Sequence, residues 1–211
     1  MSRLLPSQIT PELELMLSHA IERKHAAKDF IVRAGEKPKY LYFITEGSVT
    51  VYVEDETGDE LILAYLGPGN FFGELGLFGN QEVRSAWIRA RTDCKIASIS
   101  YNKFLDLCKD HHDLWMQLGS QIADRLRETS SKLGQLAFLD VTGRVARAIL
   151  ELANDSEAIT HPDGMMIKIS REELGKIVNC SREMAGKVLK NLEGQGLIQI
   201  DGRSLVINGT R

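Results

Sequence analysis

At 211 residues, 43% hydrophobic and 26% charged, the chain has the make-up of an ordinary globular protein, which excludes a disordered or fibrous class. Its length allows one large domain or two small ones, and two are expected. The formal charge of -3 excludes gross attraction to nucleic acid over the whole surface, but the charge is unevenly spread. Residues 1–140 carry 16 basic against 20 acidic side chains, residues 141–211 carry 10 against 9, and Lys168 to Arg211 carry 8 against 5. Any DNA contact is therefore to be sought at the C-terminal end. The opening MSRLLPSQIT lacks the apolar core of a signal peptide, and no apolar run reaches about 18 residues, which points to a cytoplasmic protein. Cys94, Cys108 and Cys180 are odd in number and widely scattered, so they read as buried thiols rather than a disulfide framework or a metal site.

In chain order, an amphipathic stretch near residues 11–25 predicts a helix packed on the outside of the β-rich region after it. From Lys39 to about Ser100 the chain runs in short alternating β-prone segments, YLYFI, SVTVYV and ELILAYL, punctuated by Gly47, Gly58, Gly67 and Gly69. This predicts an antiparallel β-barrel or jelly roll, with EDETGDE as a hairpin turn and Gly35 at another corner. Inside it, FFGELGLF places Glu74 in an otherwise apolar or glycine stretch. From Asn102 to about Ala137 there is no Pro and little Gly, which predicts a helix. Trp115, Leu118, Ile122, Leu126, Thr129, Leu133 and Leu136 recur along it at alternating spacings of three and four, a coiled-coil seam. A helix packed only on its own barrel would show a wider apolar stripe, so the pattern favours self-association. Thr129 is the odd member, since a hydroxyl in a dry seam needs a partner.

After LAFLDVTGR a second, mostly helical domain is predicted. SREELGKIV opens with Ser170 as N-cap and Glu173 three residues on, a capping-box pattern. SREMAGKVLKNLEGQGLI opens a further helix with Ser181 as N-cap and ends it at Gly194. Two short helices with Asn179 in the turn make a helix-turn-helix, and LIQIDGRSLVI adds a hairpin around Asp201-Gly202, completing a winged helix. Helical hairpins are commonly structural only. What tilts this one toward DNA is the outward face of the second helix, where Arg182, Glu183 and Lys187 fall together. Arg can fork onto guanine, Glu can accept from the cytosine amino group, and Lys can reach guanine or phosphate. Leu174, Ile177, Ala185, Val188, Leu189 and Leu192 supply the inward face.

The strings GSVTV, FFGELGLF, RSAW, AFLDVTGR, THPDGM, CSRE and NGTR, in this order from about residue 15 to the end, give the chain its resemblance to the bacterial cyclic AMP receptor protein (catabolite activator protein) family. The resemblance implies an α+β protein with an N-terminal cyclic-nucleotide-binding β-barrel or jelly roll, a long dimerisation helix over about 102–137, and a C-terminal winged helix-turn-helix domain. The domains would span 1–137 and 138–211. It implies a cyclic AMP-dependent, homodimeric transcription regulator, not an enzyme and without a metal, that binds a palindromic TGTGA-like site in double-stranded DNA and meets RNA polymerase. FFGELGLFGNQEVRSAW would be a phosphate-binding cassette: Gly73 lets backbone approach the ligand, Glu74 accepts from the ribose 2'-hydroxyl, Arg84 pairs with the cyclic phosphate, Ser85 adds a neutral bond, and Leu75 belongs to the same ligand-binding set. Arg125 would assist near the phosphate, Thr129 would meet the adenine of its own subunit's ligand, and Ser130 would reach the partner's. The DNA-binding set would be Ser170, Arg171, Ser181, Arg182, Glu183, Lys187 and Lys190.

The chain departs from the family pattern at three places. Lys187 replaces an Arg and lacks its bidentate fork, so base preference there would be relaxed. Asn179 stands where Gly is common. Lys103 is retained from one polymerase-contacting patch that is otherwise partly matched, whereas AITHPDGM around Thr160 matches the other well. A cupin-type metalloenzyme would need His ligands in the barrel, yet His19, His25, His111, His112 and His161 all fall outside residues 30–100. An iron-sulfur sensor would need an N-terminal Cys cluster that the sequence lacks. The serious alternative is the same fold answering to another cyclic nucleotide or dinucleotide, or to none, because phosphate and ribose contacts do not read the base.

Overall fold

The computed structural model describes residues 9–79, 82–155 and 158–209. Asn80 and Gln81 of the cassette string, and Thr210 and Arg211 of the terminal string, lie outside them. The chain divides into two compact units, one running to Glu128 and the other from Thr129.

The first unit opens with α1 (Pro11–Ser18), capped by Thr10, whose side chain accepts from the Leu13 amide. The predicted helix over 11–25 is therefore too long. Residues 21–25 form β1 (Ile21–His25) instead, and the β-branched Ile21 and the charged Glu22, Arg23 and Lys24 sit on an exposed edge, where charge discourages further pairing. The chain continues through β2 (Phe30–Val32), β3 (Tyr40–Glu46), β4 (Val49–Glu54), β5 (Glu60–Leu66), β6 (Phe71–Phe72), the one-turn α2 (Leu75–Phe78), β7 (Trp87–Ala90) and β8 (Cys94–Ser100). All pairings are antiparallel, in two four-stranded sheets ordered β1-β8-β3-β6 and β2-β7-β4-β5. At the β4–β5 turn, the Asp55 carboxylate accepts from the Thr57 amide and hydroxyl and from the Asp59 amide, an Asx-type closure.

Period-2 alternation assigns each strand residue to one of two cores. Val49, Leu66, Ile88 and Ala90 from one sheet meet Ile44, Phe72, Cys94 and Ile96 from the other. Leu41, Phe43, Phe71, Ala97 and Ile99 point the opposite way, onto α1, α3 (Tyr101–Cys108) and α4 (His112–Phe138). β8, β3 and β6 are thus buried on both faces while the edge strand β1 is exposed, and the adjacent Phe71 and Phe72 serve different cores.

The single helix expected over 102–137 is broken after Cys108. Lys109 closes α3, its amide bonded to Asp106 O and Leu107 O, and Phe104, Cys108, Leu114 and Leu118 on either side of the break are all buried in the same core. Leu118 is fully buried and Trp115 and Ile122 pack on that core, whereas Leu126, Leu133 and Leu136 are exposed. The seven-residue seam is therefore two stripes: one packed on the barrel and one open to solvent.

The second unit contains α5 (Val141–Ala153), capped by the Asp140 side chain, then β9 (Ile159–His161), β10 (Gly164–Lys168), α6 (Arg171–Val178), α7 (Arg182–Gly194), β11 (Ile198–Asp201) and β12 (Ser204–Asn208). Its sheet has the order β11-β12-β10-β9, so the hairpin around Asp201-Gly202 joins a second hairpin, formed by THPDG, that the sequence pattern does not predict. Val145, Ile149, Leu174, Ala185, Leu189 and Leu205 are among the residues of its core.

Burial pushes the Cys94 and Cys108 thiols up to about 11 from 9.0, with Asp29 and Asp93 adding to the effect at Cys94. A group that holds its proton more tightly when folded contributes stability below its unfolded pKa and loses it as pH rises through the folded value. Urea denaturation should therefore show stability falling between about pH 9 and 11, less steeply in a Cys94→Ala/Cys108→Ala variant. Equal slopes in the two proteins would place that pH dependence on other groups.

Candidate functional site

The turn after β6 gathers the side chains of one corner. Gly73 has φ +80, and a Cβ on it would lie 2.7 Å from Arg84 Nη1; both conformation and clearance require glycine. Arg84 is brought there by pairing of its backbone with another turn: its amide donates to Glu36 O at 2.8 Å, and its carbonyl accepts from Gly35 N at 2.9 Å. The side chain then turns inward, only 8% exposed. Nη1 donates to Gly73 O at 2.8 Å and to Tyr101 Oη at 3.0 Å, and Nη2 donates to Tyr40 O at 2.7 Å. The Tyr101 hydroxyl in turn donates to Gly73 O at 2.6 Å. Burial raises its pKa above the ordinary tyrosine value of 10.0 against the pull of Arg84, so the proton it donates is present at neutral pH.

Glu74 comes next, its side chain 12% exposed, with Oε1 3.2 Å from Arg125 Nη1. Arg125 Nη2 also donates to Phe71 O, and Arg125 Nε is buried without a hydrogen-bond partner. One turn earlier on α4, Gln121 accepts from Phe71 N at 2.8 Å and donates to Gly69 O at 2.8 Å. β6 is the edge of its sheet, and these side chains satisfy the outer side of its backbone as a further strand would. Leu75 and Ser85 are exposed beside this corner.

Gly73, Glu74, Arg84 and Arg125 thus meet through direct contacts. Glu74 pairs with Arg125, and Arg84 meets only neutral acceptors, so one guanidinium of the two keeps its charge unbalanced within this set. Arg125 Nε keeps an unused donor, and Arg84 makes three hydrogen bonds within the protein through Nη1 and Nη2, leaving Nε without a protein partner among the described residues. Such a donor set fits a singly charged anion with a hydroxyl for Glu74. Thr129 and Ser130 are exposed on the continuation of α4, in the second unit.

In that second unit, Ser170 accepts from Glu173 N at 3.1 Å and Ser181 from Met184 N at 3.2 Å, so both expected N-caps form. α6 ends at Asn179 in the left-handed region, φ 54 and ψ 64, and Gly175 closes the turn so tightly that a Cβ would stand 2.5 Å from Cys180 O. Arg144 adds a clamp, donating to Val178 O and to Leu139 O, each at 3.0 Å. Arg182, Glu183, Lys187 and Lys190 are exposed along α7, and with Arg171 and Gly186 they line a basic groove. Gly186 leaves room for Arg171, whose Cδ would be 3.3 Å from a Cβ there. A neighbouring cleft joins Ser170, Arg171, Glu172 and Arg182 to Gly202 and Arg203 at the tip of the β11–β12 hairpin.

Two family models match the chain: a cyclic nucleotide-binding domain over residues 22–111 and a Crp-like helix-turn-helix domain over 143–209. The cAMP-activated global transcriptional regulator Vfr of Pseudomonas aeruginosa is 53% identical over 94% of either chain. The chain belongs to the cyclic AMP receptor protein family of transcriptional regulators. CRP of Salmonella typhimurium is 52% identical over 97% of either chain. The solved structure of the c-di-GMP responsive global regulator CLP of Xanthomonas campestris superimposes with a TM-score of 0.89 at 38% identity, covering 94% of this chain and 99% of that one.

Membership places the chain among transcriptional regulators rather than enzymes. In cyclic AMP receptor protein terms, the corner around Arg84 lies in the nucleotide-binding domain and the α6–α7 groove in the helix-turn-helix domain. Sequence reasoning missed Tyr101, Tyr40 and Gln121, because a tyrosine at a helix start, a backbone carbonyl and a helical glutamine carry no motif. It also missed Arg203, for which a signal existed: a cation at the tight turn of a predicted wing within the basic tail. No helix among the described residues is long and apolar enough to cross a membrane.

The left-handed Asn179 gives a direct check on the turn. Asn179→Ala should cost roughly 1 kcal/mol in urea denaturation, whereas Asn179→Gly should hold or gain stability. An alanine variant as stable as the parent would show that the turn relaxes out of this conformation at no cost.

Proposed function

We propose that the chain is a cytoplasmic, homodimeric transcription regulator that binds cyclic AMP in the corner around Arg84 and, with ligand bound, docks α7 on a two-fold symmetric TGTGA-like DNA site. The observation that carries this reading is the buried Arg84 held by Gly73 O beside the partly buried Glu74–Arg125 pair, a set with one net positive charge, in a chain 53% and 52% identical to two cAMP-activated regulators. Arg84 would hold the cyclic phosphate with Ser85 beside it, and Gly73 and Leu75 would bring backbone close to the ligand. Glu74 would take the ribose hydroxyl, at present facing only Arg125, which would then turn partly toward the phosphate. Thr129 and Ser130 would meet the base from the two subunits.

The exposed Leu126, Leu133 and Leu136 of α4 support a second copy of the chain as their cover, with a functional division near residues 137 and 138. Ligand at such a seam can bias helix packing. Shifting a two-state equilibrium from 1:99 to 99:1 takes about 5.5 kcal/mol, or about 2.7 from each of two equal sites. On the DNA side, Arg182, Glu183 and Lys187 would read bases, while Ser170, Arg171, Ser181 and Lys190 would hold phosphates. RNA polymerase would be met through the β9–β10 hairpin bearing Thr160, with Lys103 on a second surface.

The 38% identity to the c-di-GMP responsive CLP favours one second reading, a cyclic dinucleotide effector. Its two phosphates would bring one more negative charge than the cluster balances. Titration of cAMP, cGMP and c-di-GMP by calorimetry should give micromolar-order binding for cAMP, and that ligand should tighten binding to symmetric DNA. Tighter binding of c-di-GMP, or DNA binding indifferent to every nucleotide, would overturn the cyclic AMP reading. Arg84→Leu should lose nucleotide binding yet sediment as a dimer like the parent; retained affinity would move the phosphate elsewhere. For the DNA face, Glu183→Ala should relax discrimination by about 1–3 kcal/mol at one base pair with less effect on nonspecific binding. An equal loss on all sequences would reduce Glu183 to a structural part.

A further inference from the structure

We propose that Tyr101 is a positioning residue for the phosphate contact: its hydroxyl decides which edge of the Arg84 guanidinium faces the ligand. The inference rests on the cyclic-nucleotide reading above. A guanidinium offers five N–H groups in a rigid plane. Arg84 Nη1 donates to Gly73 O at 2.8 Å and to Tyr101 Oη at 3.0 Å, and Nη2 donates to Tyr40 O at 2.7 Å. Among the described residues Nε has no protein partner, and its N–H with that of the adjacent Nη2 forms one edge of the fork, suited to two oxygens of one phosphate.

Tyr101 is well placed to enforce this choice. It is the first residue of α3, behind the Ser100 cap, so its backbone is fixed by a helix rather than by the cassette turn. Its hydroxyl bridges two groups at once, accepting from Arg84 and donating to Gly73 O at 2.6 Å. The ring lies under the cation, 5.9 Å from Arg84 Cζ to its centroid. Room for movement is small: a Cβ on Gly76 would come within 2.6 Å of Tyr101 Oη and 2.5 Å of Pro38 Cβ. Removal of the hydroxyl takes one of its two acceptors from Nη1 in a buried site, and the Nη1 edge then competes with the Nε edge for the anion.

The test compares Tyr101→Phe with the parent, full-length in both cases, for binding of cAMP and of its Sp and Rp phosphorothioates, in which sulfur replaces one or the other exocyclic oxygen. With one hydrogen bond to a charged group lost, cAMP should bind about tenfold more weakly and the Sp-to-Rp affinity ratio should move by at least about threefold, while the thermal midpoint stays near that of the parent. A variant that binds cAMP within about twofold of the parent at the same ratio would overturn the assignment. So would proportional weakening of all three nucleotides with a lowered midpoint, which would make Tyr101 merely structural. A parent chain that binds no cyclic nucleotide would overturn the underlying reading instead, so the two failures are distinguishable.

Discussion

A guanidinium taken out of water must be met by acceptors, and much of the first unit is arranged around meeting that need at Arg84. An unpaired charge in such a place would cost several kcal/mol. The acceptors come from three parts of the fold: Tyr40 O from the start of β3, Gly73 O from the cassette turn, and Tyr101 Oη from the start of α3. None is a carboxylate, so the cation is solvated without being neutralised. A neutral cage of this kind keeps the charge available to an incoming anion, whereas a carboxylate partner would have to be displaced. Glu74, the carboxylate of the cassette turn, is held away on Arg125. The pairing separates the group suited to a phosphate from the group suited to a sugar hydroxyl.

The same corner is fixed to α4 by an unusual edge. β6 has only two residues and a strand on one side alone. Its outer polar groups are met by Gln121 and Arg125 rather than by backbone. Each hydrogen bond is worth about 0.5–1.5 kcal/mol net, too little to define a strand by itself. Phe71 and Phe72, buried in separate cores, provide the rest. The consequence is mechanical: the turn that carries Gly73 and Glu74 is bonded directly to the helix that carries Arg125, so a change in one is felt by the other.

Much of this was legible in the chain, and the failures share a cause. Alternation in YLYFI and SVTVYV gave the sheets, and Ser170 and Ser181 gave both helix starts, because these signals are local. Period alone could not say that residues 21–25 would add a strand to β8, since the reward for that pairing lies seventy residues away. Nor could it break the helix after Cys108, because Phe104, Cys108, Leu114 and Leu118 also fall within one stripe about 120° wide of a continuous helix. Glu74 and Arg84 stood out as charges in unusual company. Tyr101 did not, because a tyrosine in a half-buried helix start is ordinary until its hydroxyl is seen between a buried cation and a carbonyl. Motif reading finds the groups that touch a ligand more readily than the groups that aim them.

The apolar residues of α4 carry the last step. Leu114 and Leu118 are fully buried, whereas Leu126 and Leu133 are each 67% exposed. The change of environment falls at Arg125, where the helix makes its polar contacts with the cassette. A large aliphatic stripe left open is costly unless something covers it, and a carboxylate-guanidinium pair at the point where it begins would be a poor choice for stability alone. The arrangement makes sense if the polar pair is retained for a ligand and the stripe for a second chain. The ligand residues and the open stripe would then follow one another along α4, and occupancy of the first would be read by the second.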